Sequence, residues 1–209
     1  MGKIQVEVEK VKIGAIFVKN CDVRESEESF KNKVLAEIKL IKETDRLRKN
    51  VRNMLRFGKY KPSGRGKPAS EYLFEAAKEG SFPFINNFVD ALNFVSLISG
   101  LPISLIDNEK AKTENFRIRR GRKGESYIFN KSGQVLNLED LLLTATNEED
   151  EPIATPVKDS QKTKIDEKSK NLTAIIYSPI ELEEILKNSL EELTTLYKEK
   201  GEIVEQNLF

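Results

Sequence analysis

Residues 83–107 read PFINNFVDALNFVSLISGLPISLID, and the reading of this stretch decides the fold. From Ile85 to Ile98 the apolar side chains Ile85, Val89, Leu92, Val95, Leu97 and Ile98 keep helical spacing. Gly100 then supplies the left-handed stop that ends many helices. Such a helix is apolar enough to be central to a core, and a short strand over 103–106 follows it. Yet it carries Asn86, Asp90 and Asn93 three or four residues apart, close to one face. Polar groups on a core helix must find partners or face a pocket. Spacing alone favours partners: Asn86 and Asn87 as caps, Asp90 and Asn93 on neighbouring backbone. The other reading makes them the wall of a binding site.

Working outward, alternation predicts strands at 4–8 and 13–18 and helical spacing predicts one helix from Phe30 to about Phe57, closed by Gly58. Residues 59–68 form a basic Gly/Pro loop, and 70–78 a short helix stopped by Gly80. Downstream, strands are expected at 116–119, 127–129, 141–145 and 153–157, with a polar loop over 158–170. The continuous apolar run 172–177 reads as a buried strand, and an amphipathic helix runs from 180 to about 200. Strands and helices are interspersed without regular βαβ alternation, which predicts an α+β fold. The expected organisation is a central domain over 59–179, N-terminal strands and a helix over 1–58 packed on it, and a C-terminal helix over 180–209.

Composition narrows the chemistry. Lysine and arginine number 35 against 34 acidic residues, so wholesale nucleic-acid binding by net charge is not expected. Histidine is absent, which excludes Ser-His-Asp and Cys-His relays within the chain. One cysteine, Cys21, can build neither a thiolate metal cluster nor an intrachain disulfide. Hence no metal and no cofactor is expected. A reducing, cytoplasmic location is the natural expectation, with no membrane partner, since no apolar run approaches the ~20 residues of a span. The opening residues MGKIQVEVEK alternate charge and hydrophobe and do not resemble a targeting segment.

Two further clusters carry polar chemistry. A strand ending at Lys158-Asp159-Ser160 can aim an ammonium and a carboxylate at one point, or can be a plain exposed turn. In Phe116-Arg117-Ile118-Arg119 the alternation places both arginines on one strand face, ahead of Gly124-Glu125. With Arg65 and Lys67 of the basic loop they could neutralise phosphates, although a charge run is usually a solvated face. The Gly64–Lys67 stretch lacks the spacing of a P-loop.

Ile85-Asn86-Asn87, Val89-Asp90, Asn93, Val95, Gly100, Pro102 and Asp107 resemble, without a gap, the INNVVDVTNYV…GQPLHAFD segment of the editing (B3/B4) domain of the phenylalanyl-tRNA synthetase beta subunit. Lys67 to Leu73 is similar to the opening of freestanding members, and Phe116–Arg119 with Gly124-Glu125 to the family's strand and turn. The resemblance covers roughly 59–179. It implies a three-layer α+β domain with an unusual β-sandwich core and a pocket between sheet and Asn-bearing helix. It further implies binding of a misacylated tRNA acceptor end and trans-acting deacylation. Asn93 and Ser104 would act at the ester. Asn86, Asp90, Glu125, Lys158, Asp159 and Ser160 would hold substrate, and Arg65, Lys67, Arg117 and Arg119 the RNA. Ser104 stands where the family has histidine, and Lys158-Asp159 where it has paired glycines, so tyrosine specificity is not expected. A noncatalytic RNA or protein adaptor and a free amino-acid or metabolite binder are the alternatives.

Overall fold

The computed structural model describes residues 2–41 and 44–209. β1 (Lys3–Val6) and β2 (Val11–Lys19) come from the two alternating runs at the N-terminus. Where spacing predicts a single helix over 30–57 there are two, α1 (Glu28–Ile38) and α2 (Asp45–Leu55). Thr44 starts the second, its hydroxyl accepting the Leu47 N–H at 3.3 Å. Each helix buries its own stripe, so the apolar spacing runs across a break that only the Thr44 cap reveals. Lys42 and Glu43, which the single helix would include, lie outside the described residues.

The chain continues through α3 (Ala69–Lys78) and α4 (Asn87–Ser99). Gly100 closes α4 with φ +70°, a conformation only glycine adopts freely, and a Cβ there would run into Leu47. β3 (Ile103–Asp107), α5 (Asn108–Ala111), β4 (Asn115–Arg120) and the hairpin β5 (Ser126–Ile128) and β6 (Val135–Asn137) follow. β7 (Leu142–Thr146), β8 (Pro152–Ala154), β9 (Leu172–Pro179), α6 (Glu183–Lys198) and β10 (Glu202–Leu208) complete it. β8 stops short of the expected 153–157. β10 lies in the segment expected to be only helix.

Two four-stranded sheets, ordered β1-β4-β7-β8 and β10-β2-β9-β3, stack face to face. On β9 the Tyr177 hydroxyl lies 2.7 Å from Thr144 Oγ1 of β7, so Thr173, Ile175 and Tyr177 face the other sheet. Ile176 and its partner Gly14 face the helices: a Cβ on Gly14 would sit 3.1 Å from Leu186 and 3.3 Å from Leu190 of α6. α4 lies beside α6 in that layer, where the Tyr197 hydroxyl donates to the Phe88 carbonyl at 3.2 Å. The fold is α+β in three layers: helices, sheet, sheet. Leu186, Leu193, Phe88 and Tyr197 are fully buried between them, each contributing about 1.5–3 kcal/mol. β2 sits inside its sheet between β10 and β9, and β1 pairs in parallel with β4. The N-terminal strands are therefore members of the sandwich and not a layer laid upon it.

Candidate functional site

On one side of the sandwich the edge strands β3 and β8 come together, and the loop 155–160 closes that side. β8 ends because Thr155 turns the chain: its hydroxyl accepts the Lys158 N–H at 3.0 Å and donates to the Lys158 carbonyl at 2.8 Å. The turn brings Asp159 back to the strands. Its Oδ1 accepts the Ser104 hydroxyl at 2.6 Å and the Thr155 N–H at 3.3 Å, and Oδ2 accepts the Leu105 N–H at 3.3 Å. One carboxylate thus ties the free edge of β3 to the end of β8. Behind it runs a hydroxyl chain in which Thr144 donates to Tyr177, Tyr177 to Ser104 (3.2 Å) and Ser104 to Asp159.

Burial pushes the Asp159 carboxyl up to about 6, outweighing the bonds from Ser104, Leu105 and Thr155 that favour its charge. Asp159 keeps part of its surface open to solvent, whereas Ser104 is 1% exposed. Lys158 points to an aromatic set, with Nζ 4.2 Å from the Phe129 ring centre and 5.8 Å from that of Tyr72. Desolvation, then the charge of Arg65, lowers its pKa. Among the described residues this ammonium makes no ion pair. The Tyr127 hydroxyl fixes the loop by donating to the Lys158 carbonyl at 2.6 Å. Across the platform, Tyr60 and Tyr72 donate to the carbonyls of Gly66 and Gly64 at 2.6 and 3.2 Å and anchor the basic loop. Lys67 lies 4.3 Å from the Tyr72 ring centre and pairs with Glu75, while Arg65 is exposed.

Of the residues singled out from sequence, Ser104, Lys158, Asp159, Arg65 and Lys67 meet here. Ser160 stands next to them with a capping role, its hydroxyl accepting the Lys162 N–H at 3.2 Å. Asn93 does not join them. It is half-buried on α4, in the helix layer, and the sheet separates it from the inter-sheet face that Ser104 occupies. Asn86 caps α4 by accepting the Val89 N–H at 2.9 Å. Asp90, 1% exposed, accepts the Ser26 hydroxyl and the Ile85 N–H, both at 2.6 Å, while burial raises its pKa. These two residues edge a separate cleft of about 570 Å³ with Arg24 and Lys168.

The arginine expectation needs correcting. Arg117 and Arg119 do share a strand face, opposite the fully buried Phe116 and Ile118. Arg119 is spent inside the molecule, however, 4% exposed, with bonds of 2.7–2.8 Å to Glu125 and 2.7 Å to Asp150. Arg117 turns to the Asn147 carbonyl and side chain and to Glu7. Burial works against the charge of Glu125, but Arg119 and the Arg122 N–H hold its pKa below the ordinary value. A phosphate would have to displace these carboxylates. Tyr72, Tyr127 and Phe129 stand outside the residues singled out from sequence; the two-residue spacing of Tyr127, on β5, and Phe129, just past its end, is the available signal.

A family model described as the B3/4 domain matches residues 63–199, more than half of the chain. The chain belongs to the B3/4 domain family. The resemblance to this family is thereby borne out, and the match runs from residue 63 through α6. Among curated proteins the B3/4 chain is similar to phenylalanine–tRNA ligase beta subunits. That of Streptococcus pyogenes serotype M3 is 32% identical over 108 residues, 51% of this chain and 13% of the relative. That of Streptococcus pneumoniae is 33% identical over 104 residues, 49% of this chain and 13% of the relative. The match thus spans 13% of the length of these relatives. Among solved structures, an N-terminal fragment of the Pyrococcus horikoshii phenylalanyl-tRNA synthetase beta subunit aligns with a TM-score of 0.57. It covers 99% of this chain and 50% of that one at 11% identity, a likeness of fold alone. Among the described residues no cluster of His, Cys, Asp or Glu is placed to hold a metal ion, and no helix is long and apolar enough to cross a membrane.

Proposed function

We propose that this protein binds the acceptor end of an aminoacyl-tRNA at the Lys158 platform. The observation that carries the reading is an ammonium held against Phe129 and Tyr72, making no ion pair among the described residues, beside Arg65 and at the mouth of the Ser104–Asp159 pair. Half-exposed aromatic faces stack nucleobases, each worth about 1–3 kcal/mol, while cations alongside take the phosphates. Its relatives, tRNA ligase beta subunits by name, are consistent with that ligand. Fluorescence titration with aminoacyl-tRNA, deacylated tRNA and a free adenosine nucleotide tests it. Tighter binding of the charged tRNA supports the reading; equal indifference to all three overturns it.

A second reading, trans-acting deacylation of misacylated tRNA, is favoured by one feature. A desolvated carboxyl with a pKa of about 6, fixed by Ser104 at 2.6 Å on a residue that keeps part of its surface open, suits a general base near neutral pH. Asp159 would take a proton from water, the hydroxide would attack the ester carbonyl, and Asp159 would return that proton to the ribose oxygen as the ester bond breaks. Ser104 would position the carboxylate. A panel of misacylated tRNAs separates the readings: hydrolysis lost in Asp159→Asn with tRNA binding kept supports the deacylase. Binding without turnover on every member of the panel leaves the binding role alone, with the adaptor as its biological form.

A further inference from the structure

The side of the sandwich away from Asp159 is built differently. There the edge strands are β1 and β10, neither with a second neighbour, and a cleft of about 500 Å³ lies between them. Its wall includes Lys3, Ile4, Gln5, Asn147, Glu205 and Phe209. Glu205 is paired with Phe17 of β2, whose face looks toward the other sheet, so Glu205 and Phe209 point the same way along β10, between the sheets. Asn207 reaches Oε1 of Glu205, whereas Oε2 is enclosed and has no hydrogen-bond partner among the described residues. An enclosed carboxylate oxygen with no donor is costly, and a cation brought to it removes the cost. Beside it the free edge of β10 offers a row of backbone donors and acceptors, the template on which an extended peptide adds as a strand.

We propose that this cleft docks an extended segment of a partner protein. The segment adds a strand beside β10 and brings a lysine or arginine to Glu205. Four residues away it brings a large apolar side chain to Phe209 and Ile4. The spacing follows from the strand: Glu205 and Phe209 share a face and stand roughly 13 Å apart at about 3.3 Å per residue. The Glu205 oxygen without a donor among the described residues selects a cationic side chain at one position, with Lys3 at the same wall holding the rest of the segment neutral, and the two unpaired edges select an extended segment. The proposal is independent of the Lys158 platform, which lies at the opposite side of the sandwich.

The test uses the whole chain and fluorescein-labelled synthetic peptides of about ten residues, the length of a long strand. One carries lysine and phenylalanine four positions apart in an alternating Thr/Val frame; its control has norleucine for lysine. Fluorescence anisotropy should show the lysine peptide binding at least about tenfold more tightly at low salt, and Glu205→Gln should abolish the difference. Amide exchange should slow along β10 when the peptide is bound. Because the norleucine change is made in the peptide, the outcome does not depend on how the variant folds. Equal binding of the two peptides, binding of neither at millimolar concentration, or a preference that survives Glu205→Gln overturns the proposal. So does a concentration-dependent dimer of the free protein whose formation protects β10, which would give the cleft to a second copy of this chain.

Discussion

The two sides of the sandwich meet the same physical problem with different solutions. Each pairs an edge strand of one sheet with an edge strand of the other, so each has backbone groups and an inter-sheet gap to cover. At β3 and β8 the chain covers its own gap: the Thr155–Asp159 turn folds back and one carboxylate binds Ser104, Leu105 and Thr155. At β1 and β10 a carboxylate also faces the gap, but Glu205 has an oxygen with no donor among the described residues and a cleft beside it. A carboxylate that is satisfied from within holds the fold; one left short of donors is suited to something from outside.

The largest expected effect is a difference in stability between these two acids. Asp159→Ala leaves the Leu105 and Thr155 N–H groups without an acceptor and the Ser104 hydroxyl with only the Thr155 carbonyl at 3.3 Å, which at about 1 kcal/mol or more for each lost bond should cost roughly 3 kcal/mol at pH 5. Glu205→Ala should stay within about 0.5 kcal/mol, since it removes a group that is poorly satisfied. Urea unfolding of the two variants measures both. Equal losses would erase the distinction between the sides.

Acidity sharpens the same comparison. The folded Asp159 carboxyl, at about 6, lies above the ordinary aspartate value of 3.8, so the folded state holds the proton more tightly than the unfolded chain. Its stabilising share is therefore complete below about pH 4 and lost as pH rises through 6, by up to about 3 kcal/mol. The difference in unfolding free energy between the wild type and Asp159→Asn, followed from pH 4 to pH 8, should drift by most of that amount. A flat Asp159 difference would mean that solvent reaches the carboxylate freely.

How much of this was legible beforehand depends on whether the information is local. The apolar content of 85–98 and the run 172–177 mark the core helix and buried strand, because burial is written in consecutive residues, although Ile85 and Ile98 at the ends of the expected stripe are exposed. The membership of β1 and β2 in the two sheets was not legible, since pairing of Lys3 with Asn115 or Gly14 with Ile176 joins distant segments. β10 alternates half-buried and exposed residues, and without a paired neighbour in view its pattern is weak. At the candidate site, the departures from the family pattern at Ser104 and at the Lys158-Asp159 turn mark two positions that the fold brings into contact. Asn93 was misplaced because helical spacing shows which residues share a face, not which side of a sheet the helix covers. Arg119 was read as free because alternation gives a face but not the Asp150 carboxylate that occupies it.

A smaller effect separates the two sides by ligand. Lys158→Gln should weaken binding of an aminoacyl-tRNA end by about tenfold, or 1.4 kcal/mol, through loss of one cation on an aromatic platform. Lys3→Gln, on the opposite side, should leave that affinity unchanged, while Tyr72→Leu should weaken it through loss of a stacking face. Electrophoretic mobility shift at constant salt distinguishes them. Comparable losses from Lys3 and Lys158 would point to diffuse charge attraction and not to a built platform.

The smallest effect concerns the arginines and is read from a slope. Each phosphate neutralised on a single strand releases counterions, so the logarithm of affinity falls against the logarithm of salt with a slope of about −0.7 per contact. Arg65 is exposed beside Lys158, so Arg65→Gln should flatten the slope by about 0.7 while changing affinity little at physiological salt. Arg117 is occupied by Asn147 and Glu7 and Arg119 by Glu125 and Asp150, so Arg117→Gln should leave the slope as it was. Arg119→Gln should act on stability instead, because it strands two carboxylates against which the guanidinium is now packed. Binding measured from 50 to 300 mM salt for Arg65→Gln and Arg117→Gln decides between the two surfaces. A slope that responds to Arg117 and not to Arg65 would move the RNA to the β4 face, away from the Lys158 platform, and the clasped side would lose its claim to the ligand.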